Sequence, residues 1–565
     1  MNPYDTHEVS NQVAPFADIN LFDCDPALRE ALLREGGAAE VDALHALGRQ
    51  LGRAETLELA RLANRNGPVL VNFDGNGRRI DEVEFHPAWH SLMALLIGHG
   101  AHASPWDSGA PGAQVARAAR YILFGQVENG SQCPVTMTYA SVAALRLSPR
   151  LAARWLPKIL SRVYDPRSLP IEQKHGALLG MGMTEKQGGS DVRSNTTMAT
   201  ALAPAEAARL FGDDGEDVHR IVGHKWFFSA PQSDAHLILA QTAEGGSAGP
   251  SCFLLPRYLP DGSRNQIRVQ RLKDKLGNRS NASSEVEFTG AYGWLLGQLG
   301  RGIPTILEMG SHTRLDCVLG GAGTMRAALT HALHHARHRA AFGRPLAQQP
   351  LMQNVLADLA LESEAASAFA LRLARCFDEH ADPAQALLAR ILTPAGKYWI
   401  CKRGPAFGAE AMEVLGGSGY VEDGPLARLY REFPVNSIWE GSGNVMCLDL
   451  LRALGKTPAA REALAAELAL AGEGSACYVC YTQALLLDLA EAPTDPHVAE
   501  YGARRLAERI VLAVQAGLLL RHAPGYVSTA FVASRLTRDV GGAFGRLPDG
   551  VDCAAILARA LVEPT

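Results

Sequence analysis

The chain has 565 residues, with 54 Lys and Arg against 59 Asp and Glu, a formal charge of −5. That length exceeds one ordinary core and calls for several domains. A composition 47% hydrophobic and 20% charged is globular, which excludes a disordered chain, and the acidic balance excludes a protein that coats nucleic acid over its whole surface.

The first residues, MNPYDTHEVSNQVAPF, are polar and carry no hydrophobic signal core, so the expected compartment is the cytoplasm. Residues 1–178 read as an N-terminal helical domain. The runs at 41–65 and 116–130 space their apolar residues by three and four, and HASPWDSGAPGAQ at 102–114 reads as a loop. The texture changes at 179–292. Short β-branched and aromatic runs, such as HRIVGHKWFFSA and SSEVEFTG, are separated by Gly, Asp, Asn and Ser, which predicts a central β-domain. Helical periodicity returns over 293–455, with one long helix expected at 314–342 and another at 350–377. A last helical block, 456–565, follows the break at Gly455 and Pro458. Its best apolar run, 510–520, is about half a membrane span and contains Gln515, so no membrane segment is expected.

Four segments carry chemistry. MGMTEKQGGSD at 181–191 opens the β-domain. Its paired glycines let backbone approach a ligand, and Thr184 and Ser190 add hydroxyl donors suited to a pyrophosphate or a heteroaromatic edge. It is not G-x-G-x-x-G, so no dinucleotide Rossmann site is claimed. GHKWFFS at 223–229 offers an aromatic wall and a polar atom at its edge, as a planar cofactor needs, although aromatics on a strand usually fill a core. Arg314 and the RAAFG of 339–343 place arginines on and just after a long helix, where they are either solvated or hold phosphate or ring oxygens. LGGSGY at 415–420 is followed by IWEGSGN at 438–444. A desolvated Glu440 beside Trp439 would have its pKa raised, which suits a general base, whereas a glutamate before glycine is ordinarily a turn residue.

Other arrangements point nowhere firm. Cys477 and Cys480 form one C-x-x-C without the second pair that a zinc ribbon needs, so free thiols are the expectation. His331, His334, His335 and His338 have helical spacing but straddle two faces with no carboxylate in register, so no metal is expected. No G-x-S-x-G elbow is present.

Taken in order, the four segments resemble the acyl-CoA dehydrogenase family. The resemblance implies an α+β multidomain fold with an N-terminal α-helical domain, a central β-domain and a C-terminal helical bundle, here with an additional C-terminal helical domain. Thr184-Glu185 with Gly189-Ser190-Asp191 looks like the family's T-E-x-x-x-G-S-D flavin loop. Lys225 to Ser229 looks like its K-x-W-I-T strand, with Phe227 in the Trp place and Ser229 as the hydroxyl near flavin N5. Arg339, Phe342 and Gly343 look like the R-x-x-F-G that reaches the FAD of a neighbouring subunit, with Gln349 a displaced match to the glutamine that follows. Thr313-Arg314 looks like the T-R of the substrate-side helix. Glu440-Gly441 looks like the Y-E-G-T carrying the catalytic base, with Trp439 for Tyr and Ser442 for Thr.

The cofactor implied is FAD. The cofactor-binding residues implied are Met181, Gly182, Met183, Thr184, Gly189, Ser190, Phe227, Phe228, Ser229, Arg339, Phe342, Trp439, Gly441, Ser442 and Asn444, with Glu440 catalytic. The match is closer to one branch, the AidB-type flavoproteins of the adaptive response to DNA alkylation, through LKDKLGNRSNASSEVEF at 272–288 and VNSIWEGSGNVMCLDLLR at 435–452. That branch implies a homotetramer, an acyl-CoA substrate, electron-transfer flavoprotein as acceptor, and double-stranded DNA as a partner of the last domain. Over 451–565, eleven Arg and Lys stand against twelve Asp and Glu, so DNA binding would rest on local stripes: Arg504, Arg505 and Arg509, or Arg535, Arg538 and Arg546. A solvated helix face explains those arginines equally well. An ordinary metabolic acyl-CoA dehydrogenase, or a flavin monooxygenase of the same fold, remains an alternative.

Overall fold

The computed structural model describes residues 4, 6–242, 249–378, 382–491, 495–537 and 542–562. The chain divides into two compact units. A barrel unit comprises residues 58–113 and 128–316, and a helical unit comprises 1–57, 114–127 and 317–565.

The barrel unit contains a feature the helical reading of 1–178 did not foresee. Strands β1 (Val69–Phe73) and β2 (Arg79–Glu84) form an antiparallel hairpin. Its turn signal is the run Asp74-Gly-Asn-Gly77, where Gly77 takes φ +77° and Asp74 caps the turn through the N–H groups of Asn76 and Arg78. Within 102–114, Ser104–Ser108 is a short helix.

The strands of the β-rich region run from residue 179 to residue 296. Its strands are β3 (Leu179–Gly182), β4 (Met198–Ala201), β5 (Val218–Ser229), β6 (Ala235–Thr242), β7 (Ser251–Pro256), β8 (Ile267–Leu272) and β9 (Ser283–Leu296). The order β6-β4-β5-β9-β7 closes on itself because β7 pairs β6, while β3 extends β6 and β8 extends β9. Closure removes sheet edges and encloses one core of alternating inward residues, including Ile221, Phe228, Ile238, Phe253, Val286 and Phe288.

In the helical unit, bundle helices Pro350–Arg375 and Pro383–Val414 carry the C-terminal helices Pro458–Ala469, Ala476–Ala490, Pro496–His522, Gly525–Arg535 and Cys553–Ala560. Ion pairs tie the block down. Arg372 donates to Glu467 at 2.6 Å, and Arg559 bridges Glu364 and Glu30. The Gly302–His338 helix ends four residues before the expected limit of 342, where the hairpin of strands β10 (Ala340–Ala341) and β11 (Arg344–Pro345) takes over. Among the described residues, no helix is long and apolar enough to cross a membrane, no cluster of metal-ligating side chains exists, and all ten cysteines are unpaired.

Candidate active site

In the barrel unit the 181–197 segment is anchored by an ion pair joining residues forty apart in sequence. Lys225, on β5, donates to Glu185 Oε1 at 2.8 Å and to Leu239 O at 2.8 Å, and both side chains of the pair are fully buried. Glu185 also accepts from Thr196 N and Oγ1, Thr197 N and Gln187 Nε2. Burial pushes this carboxyl up, but the Lys225 ammonium and the N–H donors outweigh it and hold it down to about 2. Neither residue was singled out for this role by sequence, because nothing local marks a pairing across forty residues.

That anchor leaves the tip of the loop outward. Gly188 takes φ +145° and an added Cβ there would meet nothing, while Gly189 lies against the Thr184 hydroxyl, 2.4 Å from where a Cβ would sit. Among the described residues, the hydroxyls of Thr184 and Ser190 and the N–H groups of Gly189 and Ser190 have no protein partner. A row of unengaged donors beside glycines fits the edge of a flavin and its phosphates.

A bulge in β5 between Lys225 and Phe228 sorts the aromatics. Phe227 is 51% exposed, as a cofactor wall requires. Phe228 corrects the sequence expectation: it is fully buried in the barrel core and stacked on His236 at 3.8 Å, so it has no cofactor face. Met181 and Gly182 are also buried, on β3, with Gly182 packed against the Phe228 ring, so their contribution is backbone placement of the loop. Ser229 lies at the end of β5, its hydroxyl 3.4 Å from Ser283 Oγ.

His236 buttresses Ser229. Its Nε2 lies 3.2 Å from Ser229 O, and because a carbonyl only accepts, Nε2 carries the proton. A Cβ on Gly180 would sit 2.3 Å from this ring, which explains a glycine at that position. Burial pulls His236 down to about 3. The unfolded chain therefore binds one more proton between about pH 6.5 and pH 3, and stability should fall with pH across that window by up to roughly 1.4 kcal/mol per unit. His236→Asn should flatten the pH dependence of the urea midpoint by one proton; an unchanged slope would contradict a neutral buried imidazole.

On the Gly302–His338 helix, Arg314 is half-buried. Thr313 departs from the substrate-side expectation. It is 1% exposed and its hydroxyl donates to Gly310 O, one turn back in its own helix.

In the helical unit, Glu440 is half-buried in a turn between helices Leu426–Asn436 and Gly443–Lys456. Glu440 takes φ +58° and Gly441 φ +102°, two consecutive left-handed residues. Only Gly does this freely, and a non-Gly residue held there costs on the order of 1 kcal/mol, a pattern that concentrates at functional sites. Trp439 Nε1 donates to Asn436 Oδ1 at 3.0 Å, so this ring is fixed to the preceding helix end. Ser442 is the N-cap of Gly443–Lys456 but its side chain makes no cap bond, leaving hydroxyl and helix N-terminus open to a ligand. Asn444 is exposed and its Oδ1 accepts from Arg504 Nε at 2.9 Å.

Phe342 forms the tip of the β10–β11 hairpin, with φ +51° and 98% exposure. Asn11 clamps that hairpin through both Ala340 N and O and accepts from the Arg339 guanidinium. Gln349 donates to Ala341 O and accepts from Arg344, so the displaced glutamine still serves the hairpin.

The arginine stripes divide. Arg504, Arg505 and Arg546 are exposed. Arg509 is ion-paired with Asp488 and mostly covered. Arg535 is corrected outright: its side chain is 10% exposed and paired with Asp358 and Glu362, so it ties the last block to the bundle and is not free for a phosphate backbone. Arg538 lies outside the described residues.

Comparison with known proteins agrees with this architecture. Residues 11–166 match the Adaptive response protein AidB N-terminal domain, 180–291 the acyl-CoA dehydrogenase middle domain and 300–455 the acyl-CoA dehydrogenase C-terminal domain. The chain is 56% identical to AidB of Escherichia coli (strain K12) over 455 residues, covering 80% of this chain and 81% of that protein. It is 30% identical to acyl-CoA dehydrogenase family member 11 of Caenorhabditis elegans over 417 residues, 71% of this chain and 64% of that one. The crystal structure of Caenorhabditis elegans ACDH-11 in complex with C11-CoA superposes with a TM-score of 0.82 at 25% identity, covering 99% of this chain and 94% of that chain. The apo-form of Bd2924 does so with a TM-score of 0.81 at 30% identity, covering 91% and 100%. The chain belongs to the acyl-CoA dehydrogenase family, in its AidB-type branch, and the homologues of that family are FAD-dependent oxidoreductases.

Proposed function

We propose that this protein oxidises the α,β-bond of an acyl-CoA thioester, with Glu440 as the base that takes the α-proton. The observation that carries this reading is a carboxylate held in a left-handed turn that its own backbone disfavours. The barrel unit holds the cofactor through Thr184, Gly189, Ser190 and Met183, walls it with Phe227 and sets the Ser229 hydroxyl at the end of β5. Within the helical unit, Trp439, Gly441, Ser442 and Asn444 are the motif residues beside Glu440, and Arg314 is the proposed substrate-side residue. Bound FAD supplies the acceptor for the β-hydrogen, which leaves with its electron pair. Glu440 keeps the α-proton at a carboxylate oxygen, and bulky Trp439 narrows the acyl channel. Electron-transfer flavoprotein is the proposed oxidant of the reduced protein. The exposed Phe342 hairpin supports a subunit contact, in keeping with a homotetramer, and ten unpaired cysteines support a cytoplasmic setting. Anaerobic mixing of the FAD-loaded protein with acyl-CoAs of graded chain length tests this. Loss of flavin absorbance with at least one of them is expected, and a flavin that stays oxidised with all of them contradicts it.

A second reading, duplex DNA binding under alkylation stress, is favoured by the exposed Arg504 and Arg505 on Pro496–His522 and by exposed Arg546. Binding should weaken steeply between about 50 and 200 mM salt, and Arg505→Ala or Arg546→Ala should each lower the salt slope by about 1. Arg535→Ala should instead destabilise the fold. No binding at low salt would sink the DNA reading.

A further inference from the structure

The turn that carries Glu440 is fastened by a lysine from another helix. Lys397 lies within Pro383–Val414, is 1% exposed, and its Nζ donates to Gly441 O at 2.7 Å and Asn436 O at 3.1 Å. No carboxylate pairs with it among the described residues. Asn436 is the last residue of Leu426–Asn436, so its carbonyl is a helix-end acceptor at the negative pole of the helix dipole. Gly441 follows Glu440 directly. One ammonium therefore bridges the two ends of the six-residue segment that holds the carboxylate.

A buried cation is costly unless its hydrogen bonds compensate, and an unbranched apolar side chain would fill the same volume. The two left-handed residues need an outside restraint, because backbone strain of this kind persists only where the surroundings over-determine it. Local ties add to it: Ile438 N and Trp439 N donate to Val435 O, and Trp439 Nε1 to Asn436 Oδ1. They fix the first half of the turn. The second half has Lys397, together with Gly443 lying against the Tyr398 ring one residue along the same helix.

We infer that Lys397 is a positioning residue for Glu440, holding the base where it meets the α-carbon. This rests on the reading of Glu440 as the base. The contacts of Lys397 are with the backbone of the turn, so it acts through the placement of Glu440. Two of its three donors reach backbone carbonyls, which fix the turn's conformation whatever the side chains do.

The test compares Lys397→Met with wild type and Glu440→Gln. Two measurements are made: deuterium uptake over 436–446 in the protein stripped of FAD, and anaerobic flavin reduction by undecanoyl-CoA in the FAD-loaded protein. Lys397→Met should exchange faster across that segment alone, keep its melting temperature and FAD content, and reduce flavin about 100-fold more slowly, the loss expected from misplacing a reacting group by about an ångström. Lys397→Gln, which keeps a shorter donor, should fall between. Wild-type uptake in Lys397→Met overturns the inference, as does faster uptake with an unchanged reduction rate, or loss of the fold in both variants. If Glu440→Gln reduces flavin at the wild-type rate, or if wild type stays oxidised, the base assignment itself has failed. If only Lys397→Met is unaffected, the base stands and the positioning role falls.

Discussion

Replacing Glu440 by Gln is expected to leave a yellow, FAD-loaded protein whose flavin acyl-CoA no longer reduces. Gln keeps the volume and a hydrogen-bonding head but accepts no proton. Its turn keeps the same φ demand and the same ties to Val435, Asn436 and Lys397. General-base catalysis contributes roughly 10²–10⁴ in rate, so a fall of at least that size is the expected reading in stopped flow. Unchanged FAD content together with an unchanged melting temperature separates this from a folding defect. Reduction at more than about a tenth of the wild-type rate would remove Glu440 as the base.

The second large effect belongs to the anchor of the flavin loop. Lys225→Met leaves the Glu185 carboxylate fully buried without its cation and strips Leu239 O of its donor. Breaking a buried pair by removing one partner costs about 3–5 kcal/mol, whereas removing both is much milder. The single variant should therefore lose most of its FAD and unfold at lower urea, and Lys225→Met combined with Glu185→Gln should recover part of both. Burial pulls the Lys225 ammonium down as well, but below neutral pH Glu185 governs, because four donors besides the lysine hold its charge. Its contribution is present above an unfolded carboxyl value of about 4.3 and is lost as pH falls toward 2. A single variant as stable as wild type would show that the loop is held by other contacts.

Much of this was legible in sequence because the site is written in local segments. The glycines of 188–189, the hydroxyls of Thr184 and Ser190 and the Glu440-Gly441 pair proposed for the site each lie within a few residues, and short β-branched and aromatic runs marked the strands. What was missed depends on long separations or on geometry that composition does not encode. A bulge decides that Phe227 faces outward and Phe228 inward, so adjacent identical residues have opposite fates. The Glu185–Lys225 pair spans forty residues, and Lys397 reaches its carbonyls across about as many. Arg535 reads as a surface cation beside Arg538 and Arg546, yet Asp358 and Glu362, on a helix some 170 residues earlier, take it into the interior. The β1–β2 hairpin hid because a helical pattern on either side was extended over a short polar turn.

On the proposed mechanism Glu440 removes the α-proton of an acyl thioester. Its most direct test is α-hydrogen exchange from a 3-thia-acyl-CoA, which cannot be dehydrogenated at the β-position, incubated with FAD-loaded protein in D2O and read by mass spectrometry. Wild type should incorporate deuterium at the α-carbon while Glu440→Gln leaves it as protium. Equal exchange in the two proteins, or none above buffer in wild type, would contradict the account.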